Sequence, residues 1–521
     1  VVGLLRCHYP DFLGQGLSAL LSNISTQFIS PLRPLIKMLA AAISLGTGAS
    51  LGPEGPSVEI GSSVGILLGQ KLKVSKERYR LLLGAGAAAG LAAGFNAPIA
   101  GVFFALEIIL GTMFSTPAVT LLLLSAVVSA VIAGMVLGGH PAFALPSYEV
   151  LSNWEWFLYI GLGLVASVVS IIFIQGIQFA ESCFRGEVRL LKRLGKVPPL
   201  VKPVLGGLSV GIVGLFLPNI FGVGYGTLEN ILKGSAFPLQ ALGLLLVSKL
   251  LLTAICIGSG LVGGIFAPAM FVGACLGSIY GQILQELIPN GLFEIAPPAA
   301  YAMVGMAAVL GGSVRAPLTA IILLFELTQN YEIILPLMAA VGVSVWMVDQ
   351  LKASHWVTGL KLPQMGMNLE KQNELDWLGR VSAAMVMDKS FVGLSESLSL
   401  REAGQIMIDR RCYTALVVDH NQDMVGIITL TDIKRKLTPT TVSPRLEEKL
   451  KNACTTKVLC AYEQEPLVEV LQRMETRGLG LLPVINNENP RKILGVIERH
   501  QISLAADLAM TKEAIAETPH A

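Results

Sequence analysis

Gly52-Pro53-Glu54-Gly55-Pro56 and Gly264-Ile265-Phe266-Ala267-Pro268 decide how this chain folds. Each sits in a long Gly/Ala-rich apolar stretch. One offset, 212 residues, carries the first onto the second; it also carries Gly46-Thr47-Gly48 onto Gly258-Ser259-Gly260, Gly61 onto Gly273 and Gly65 onto Gly277. A second offset, 219, carries Gly86, Ala97-Pro98 and Glu107 onto Gly305, Ala316-Pro317 and Glu326. Two related halves with Gly/Pro-broken segments at matching places point to a transporter, its site formed where the broken helices meet. Helix N-termini carry unpaired N–H groups and about half a positive charge each, so the ligand expected there is an anion. Glu54 stands at that place. An ionisable side chain at membrane depth is a functional candidate by default. As a carboxylate it would compete with a dissolved anion for the same seat. The glycines around it allow close backbone approach, and Pro56 is placed to open a helix.

Composition agrees. Of 521 residues 53% are hydrophobic and 14% charged, and mean hydropathy is +0.65. That is too apolar for an ordinary soluble domain. Apolar runs cover roughly 119–137, 156–174, 204–218, 239–257, 263–287, 299–327 and 333–348. Several reach the ~20 residues that cross a bilayer; others are shorter and broken. Broken backbone at that depth is tolerated where protein buries it or a polar cavity lines it. Net charge is +2, so nothing points to nucleic acid as a partner. The basic clusters at 70–80 and 185–202 read as membrane-flanking loops. Seven cysteines and six histidines show no metal-ligand spacing, and no Ser/His/Asp, zinc or phosphate-loop constellation suggests an enzyme.

Residues 1–350 therefore form an all-α polytopic membrane domain with an internal repeat, and inverted halves are expected of such a transporter. Residues 351–380 read as a linker. The polar segment beyond them repeats too. Tyr413–Val418 leads to Val425–Ile433, and Leu479–Ile485 leads to Leu494–Ile497. Each unit places a helical stretch ahead of two short β-branched strands, an α/β tandem.

These residues carry a family likeness. The membrane domain resembles the CLC chloride channels and anion/proton exchangers. Gly52–Pro56 looks like the gating-glutamate motif of that family, Gly264–Pro268 like its second anion-coordinating motif, and Gly94-Phe95-Asn96-Ala97-Pro98 with Glu107 also matches. The soluble part resembles a CBS-domain pair, with boundaries expected at 381–442 and 443–510. Gly46-Thr47-Gly48 running into Leu51-Gly52-Pro53-Glu54 is most similar to the cyanobacterial and plant-organelle branch. The resemblance implies a gate at Glu54 and an anion held by backbone N–H groups of Ile265 and Phe266, with Gly52, Pro53, Gly55, Gly264 and Ala267 around it. It also implies a homodimer with one pore per subunit in a plastid, Golgi or cyanobacterial membrane, with the CBS pair on the cytosolic or stromal side. No cofactor is required; chloride is the bound ligand. In the CBS pair, Thr429 and Asp432 fit the spacing that holds a ribose in nucleotide-binding members, so an adenine nucleotide is a candidate ligand.

Four departures bear on mechanism. The family's early Ser-bearing anion motif is best matched by Gly14-Gln15-Gly16, which puts Gln15, a bulkier amide donor, on the anion. The position after Glu107, where proton-coupled members often carry a second glutamate, is Ile108, which cannot titrate. The late anion-binding Tyr is best matched by Trp356. A basic residue before the gate is replaced by Pro53. Helices that precede Val1 in the family are missing from this sequence.

The leading expectation is a voltage- or pH-gated chloride channel. The alternative is a proton-coupled chloride exchanger, and outside the class, a CBS-regulated cation transporter. Glu107 and Glu326 are expected to serve helix packing, Glu59 a buried or rim hydrogen bond, and Lys249 and Arg315 structural ion pairs.

Overall fold

The computed structural model describes residues 1–13, 29–74, 76–111, 116–138, 152, 154–188, 191–235, 237–288, 294–329, 331–353, 378–379, 381–437, 447–477, 479–487, 489, 491–502 and 504–505. The chain divides into two compact units, Val1–Asn368 and Leu369–Ala521.

In the first unit the helices are α1 (Val2–His8), α2 (Pro10–Leu13), α3 (Leu32–Gly46), α4 (Glu54–Leu72), α5 (Lys76–Phe95), α6 (Pro98–Phe104) running into a π-helical turn (Ala105–Leu110), α7 (Thr116–Leu137) and α8 (Glu155–Arg185). They continue with α9 (Lys192–Gly195), α10 (Lys202–Phe216), α11 (Tyr225–Leu232), α12 (Leu239–Ser259), α13 (Phe266–Leu287), α14 (Pro298–Val314), α15 (Pro317–Thr328) and α16 (Ile334–Ala353). Among the described residues, five stretches are long and apolar enough to cross a membrane: 118–136, 155–185, 239–259, 266–287 and 334–351. The apolar run 299–327 is two helices. It breaks at Arg315, which takes a left-handed backbone (φ 60°) ahead of Ala316-Pro317. Asn96 does the same (φ 54°) ahead of Ala97-Pro98 in the first half. In both breaks the proline keeps the alanine before it out of the helical region (Ala97 φ −127°, ψ 79°; Ala316 φ −126°, ψ 75°).

The halves are inverted. Gly52 and Gly264, partners at offset 212, pair with each other in an antiparallel bridge, N–H to carbonyl at 2.9 Å and 2.6 Å. A reciprocal antiparallel pairing of equivalent residues places a two-fold axis between the halves. The second offset obeys the same axis. Glu107 accepts from the N–H groups of Leu318 (2.9 Å) and Thr319 (2.8 Å), and Glu326 accepts from those of Ile99 (2.9 Å) and Ala100 (2.7 Å). Each carboxylate thus caps the first turn of the other half's broken helix, where unpaired N–H groups and the dipole favour negative charge. Packing repeats as well. A Cβ at Gly61 would lie 2.1 Å from the Gly86 carbonyl, and one at Gly273 would lie 2.3 Å from that of Gly305. Such small-residue contacts let membrane helices approach backbone to backbone. The other intramembrane charges divide. Lys37 pairs with Glu59 (2.6 Å) and Arg315 with Asp349 (3.3 Å). Lys249 departs from its expected ion pair: it donates to backbone carbonyls, for a reason given below.

The second unit holds α17 (Ala383–Val386), β1 (Gly393–Ser395), α18 (Leu400–Asp409), β2 (Thr414–Val418), β3 (Met424–Thr429), α19 (Leu430–Leu437), α20 (Leu450–Ala453), β4 (Ala461–Tyr462), α21 (Leu467–Arg477), β5 (Leu481–Ile485) and β6 (Ile493–Glu498). Its two sheets run β1-β2-β3 and β4-β5-β6, each with one parallel and one antiparallel pairing. The copies exchange their leading segments. Leu378, Val381 and Ala383 are buried in the core of the second copy with Leu467, Val470 and Ile497. Leu450 is buried in the core of the first with Leu400, Met407 and Ile428. A Ser399–Glu402 capping box opens α18, and its hydrogen bonds to Ser399 hold the Glu402 carboxyl below the usual carboxylate range.

Candidate anion gate

The bridge to Gly264 ties down Gly52, Pro53 already takes a helical backbone (φ −77°, ψ −15°), and the helix winds from Glu54. Glu54 is the first residue of α4, so Pro56 lies in the first turn, not at its start. A proline is tolerated there because first-turn N–H groups have no intrahelical partner. The opposite helix, α13, begins at Phe266, the repeat partner of Glu54. The bridge holds these two N-termini side by side. The loops press together: a Cβ at Gly264 would lie 2.6 Å from the Gly55 nitrogen.

The Glu54 side chain is fully buried. Its carboxylate turns back over Gly52, where a Cβ would come within 2.1 Å of Oε2. Oε1 accepts from the Tyr225 hydroxyl at 3.1 Å. The amides of Glu54 and Ala267 face the carboxylate, and Lys249 is close enough to act on it through space. Oε2 closes no aligned hydrogen bond. The group therefore sits in a cradle of N–H dipoles that would serve a small anion equally well. Ile265, Phe266 and Ala267 are buried around it, with Phe266 edge-on to Phe104 at 5.6 Å. Pro53, with no N–H, shapes the seat without donating to it. Ile108 is buried in the π-helical turn. Gln15 and Trp356 lie outside the described residues.

Three polar side chains hold this arrangement, and two of them were not singled out in the sequence. Tyr225 opens α11 directly after Gly222-Val223-Gly224. A Cβ at Gly224 would lie 2.7 Å from the Phe271 ring, so the turn seats against α13. Lys249 fixes the same turn. It is fully buried, donates to the carbonyls of Gly222 (2.7 Å) and Ile220 (3.4 Å), and lies over the Phe271 ring at 4.9 Å. The turn is half-buried, and the fully buried ammonium is satisfied by its carbonyls. Four residues on, on the same helix face, Thr253 donates to the Ser50 carbonyl at 3.0 Å, steadying the loop that carries Glu54. The signal for Tyr225 was a Gly-x-Gly before a polar aromatic within an apolar region. It has no repeat partner, which is why internal symmetry did not reveal it.

In the CBS-like unit, Thr429 and Asp432 form a capping box at the start of α19. Asp432 Oδ2 accepts from the Thr429 hydroxyl (2.7 Å), the Thr429 hydroxyl accepts from the Asp432 N–H (3.2 Å), and Arg435 takes Oδ1 (2.9 Å). In the second copy Gln501 caps the Glu498 N–H at 3.0 Å instead.

An inverted pair of helical halves around a buried carboxylate between two helix N-termini defines a membrane protein built to handle anions. Comparison with known proteins agrees. The family described as voltage gated chloride channel matches residues 1–349, and the CBS domain matches 381–438 and 450–507. The chain belongs to the voltage gated chloride channel (CLC) family and carries a C-terminal CBS pair. It is 35% identical to chloride channel protein CLC-f of Arabidopsis thaliana, over 91% of this chain and 68% of that one. It is 36% identical to CLC-e of the same plant, over 77% of this chain and 63% of that one. Thus the chain spans about two thirds of the length of these relatives. Among solved structures it resembles a slow cyanobacterial Cl⁻/H⁺ antiporter at TM-score 0.59 and 30% identity, covering 68% of this chain and 82% of that one.

Proposed function

We propose that this chain moves chloride or a similar small anion across a membrane, with Glu54 as the gate. One observation carries the reading: a buried carboxylate occupies the cradle between two helix N-termini joined by the Gly52–Gly264 bridge. The anion takes that place when Glu54 is protonated or displaced, held by the N–H groups of Gly55, Ile265, Phe266 and Ala267. Such binding must be favourable enough to admit the ion yet weak enough to release it. Cation transport is disfavoured by geometry. A hard cation needs several converging oxygens, whereas Glu107 and Glu326 are each spent on a helix N-terminus.

Passive conduction is the leading reading, because the buried Ile108 offers no proton acceptor beyond Glu107. Proton-coupled exchange is the second reading, supported by the likeness to the cyanobacterial antiporter. Reversal potentials in liposomes under an imposed pH gradient separate them. The channel reading expects no shift with pH; a shift toward the proton equilibrium potential overturns it in favour of exchange. The family likeness further supports a homodimer with one pore per subunit. The plant relatives and the cyanobacterial structure support an organelle or cyanobacterial membrane, with the CBS pair on the cytosolic or stromal side.

Thr429 and Asp432 are the residues we assign to an adenine nucleotide at the CBS pair, the carboxylate on the ribose hydroxyls. Asp432→Asn in the full chain is expected to weaken ATP binding by about tenfold in calorimetry, the worth of one charge-assisted hydrogen bond. Unchanged affinity would remove the assignment.

A further inference from the structure

Away from the gate, α8, α10 and α12 leave a trough of about 810 Å³ between them. Its walls are apolar almost throughout. Ile172 and Phe179 of α8, Leu208 and Ile212 of α10, and Val247 and Leu251 of α12 each keep about half or more of their surface exposed. The stretch of α8 along it, Val169 to Phe184, is about 22 Å long at ~1.5 Å per residue. One bilayer leaflet offers ~15 Å of hydrocarbon, half of ~30 Å. The trough therefore accommodates an acyl chain lying along the helices.

One end is built differently. α9 is pressed against the C-terminus of α8, where a Cβ at Gly195 would lie 2.5 Å from the Gly186 Cα. Leu191 and Leu194 close that end of the trough, which puts Lys192 and Arg193 at its mouth, with Lys196 two residues beyond. All three are exposed, and among the described residues none forms an ion pair. The other cations of this segment among the described residues are already committed: Arg185 to Glu181 (3.7 Å) and Glu187 (3.4 Å), and Lys202 to the Phe184 carbonyl (2.7 Å). Residues 185–202 hold six basic residues against one acidic. Apolar length ending in unpaired positive charge matches an amphiphile with an anionic head, and basic pockets between membrane helices take such headgroups.

We propose that this trough is a binding site for an anionic phospholipid, an acyl chain between α8, α10 and α12 and the phosphate on Lys192, Arg193 and Lys196. The full chain reconstituted in phosphatidylcholine vesicles, doped with phosphatidylglycerol or with phosphatidylcholine bearing a photoreactive acyl chain, tests it. Phosphatidylglycerol is expected to label peptides 169–184, 205–212 and 246–255 in excess over phosphatidylcholine. The triple variant Lys192→Gln, Arg193→Gln, Lys196→Gln is expected to cut that excess by on the order of tenfold. Gly176→Phe provides a second arm. Gly176 lines the trough, and a Cβ there meets nothing within 4 Å, so the ring enters the lipid's space without displacing protein. It should lower labelling while anion flux persists. Equal labelling by both lipids would mean bulk bilayer lipid only and would overturn the proposal. So would labelling confined to other peptides, or an excess that survives both sets of variants.

Discussion

Glu54→Gln turns an anion flux that rises as pH falls into one that ignores pH. In the native chain the carboxylate and the anion compete for the same N–H groups. At alkaline pH Glu54 is charged and holds the seat; as pH falls it takes a proton, loses its attraction to the helix N-termini, and yields. Glutamine keeps the shape but has no charge to lose, so flux stays high at every pH. The carboxylate is held by a helix dipole interaction of up to ~2 kcal/mol and a charge-assisted hydrogen bond from Tyr225 of ~1.5–3 kcal/mol. Removing its charge should raise alkaline flux on the order of tens-fold. Tyr225→Phe tests the latch separately: without that donor the charged form is held less firmly, and the pH at which flux rises should move upward. Chloride efflux from vesicles across a pH series measures both. A Glu54→Gln protein that keeps native pH dependence sinks the gate.

Much of this was legible in the chain. The paired motifs at offsets of 212 and 219 announced two halves, and the structure relates them by reciprocal contacts: Gly52 pairs with Gly264, and Glu107 and Glu326 each cap the other half's broken helix. Symmetry doubles a signal that is weak in any single glycine motif. What broke symmetry stayed hidden or was read for another role. Tyr225, Lys249 and Thr253 serve the gate from one half only, and their partners are backbone carbonyls and a carboxylate far off in sequence. Lys249 read as an ion-pair member because a buried ammonium needs a counterpart; here backbone carbonyls supply it. The exchange of leading segments between the CBS copies escaped for a related reason. Short apolar stretches such as Val381–Ala383 carry no mark of which copy's core they enter.

The symmetric caps yield the second large effect. Glu107→Ala and Glu326→Ala should each prevent recovery of a monodisperse protein, and to a like degree. Each carboxylate satisfies two backbone N–H groups at the start of a broken helix, and Glu107 also accepts from the Thr319 hydroxyl at 2.6 Å. The Ala100 and Thr319 N–H groups are part-buried, where a donor left without an acceptor costs about 1–3 kcal/mol, so each truncation removes a sizeable share of a fold whose whole margin is of order 5–15 kcal/mol. The glutamine variants separate capping from charge. An amide oxygen can accept from one of the N–H groups, but its NH₂ faces the other and cannot, so Glu107→Gln and Glu326→Gln should fall between native and alanine in thermal stability. Detergent-solubilised protein followed by size-exclusion chromatography and a thermal melt measures the series. If Glu107→Ala melts with the native chain while Glu326→Ala collapses, the two halves do not share this role and the two-fold account of the caps fails. If both alanine variants stay intact but lose anion flux, the carboxylates act in transport, and the packing role assigned to them is wrong.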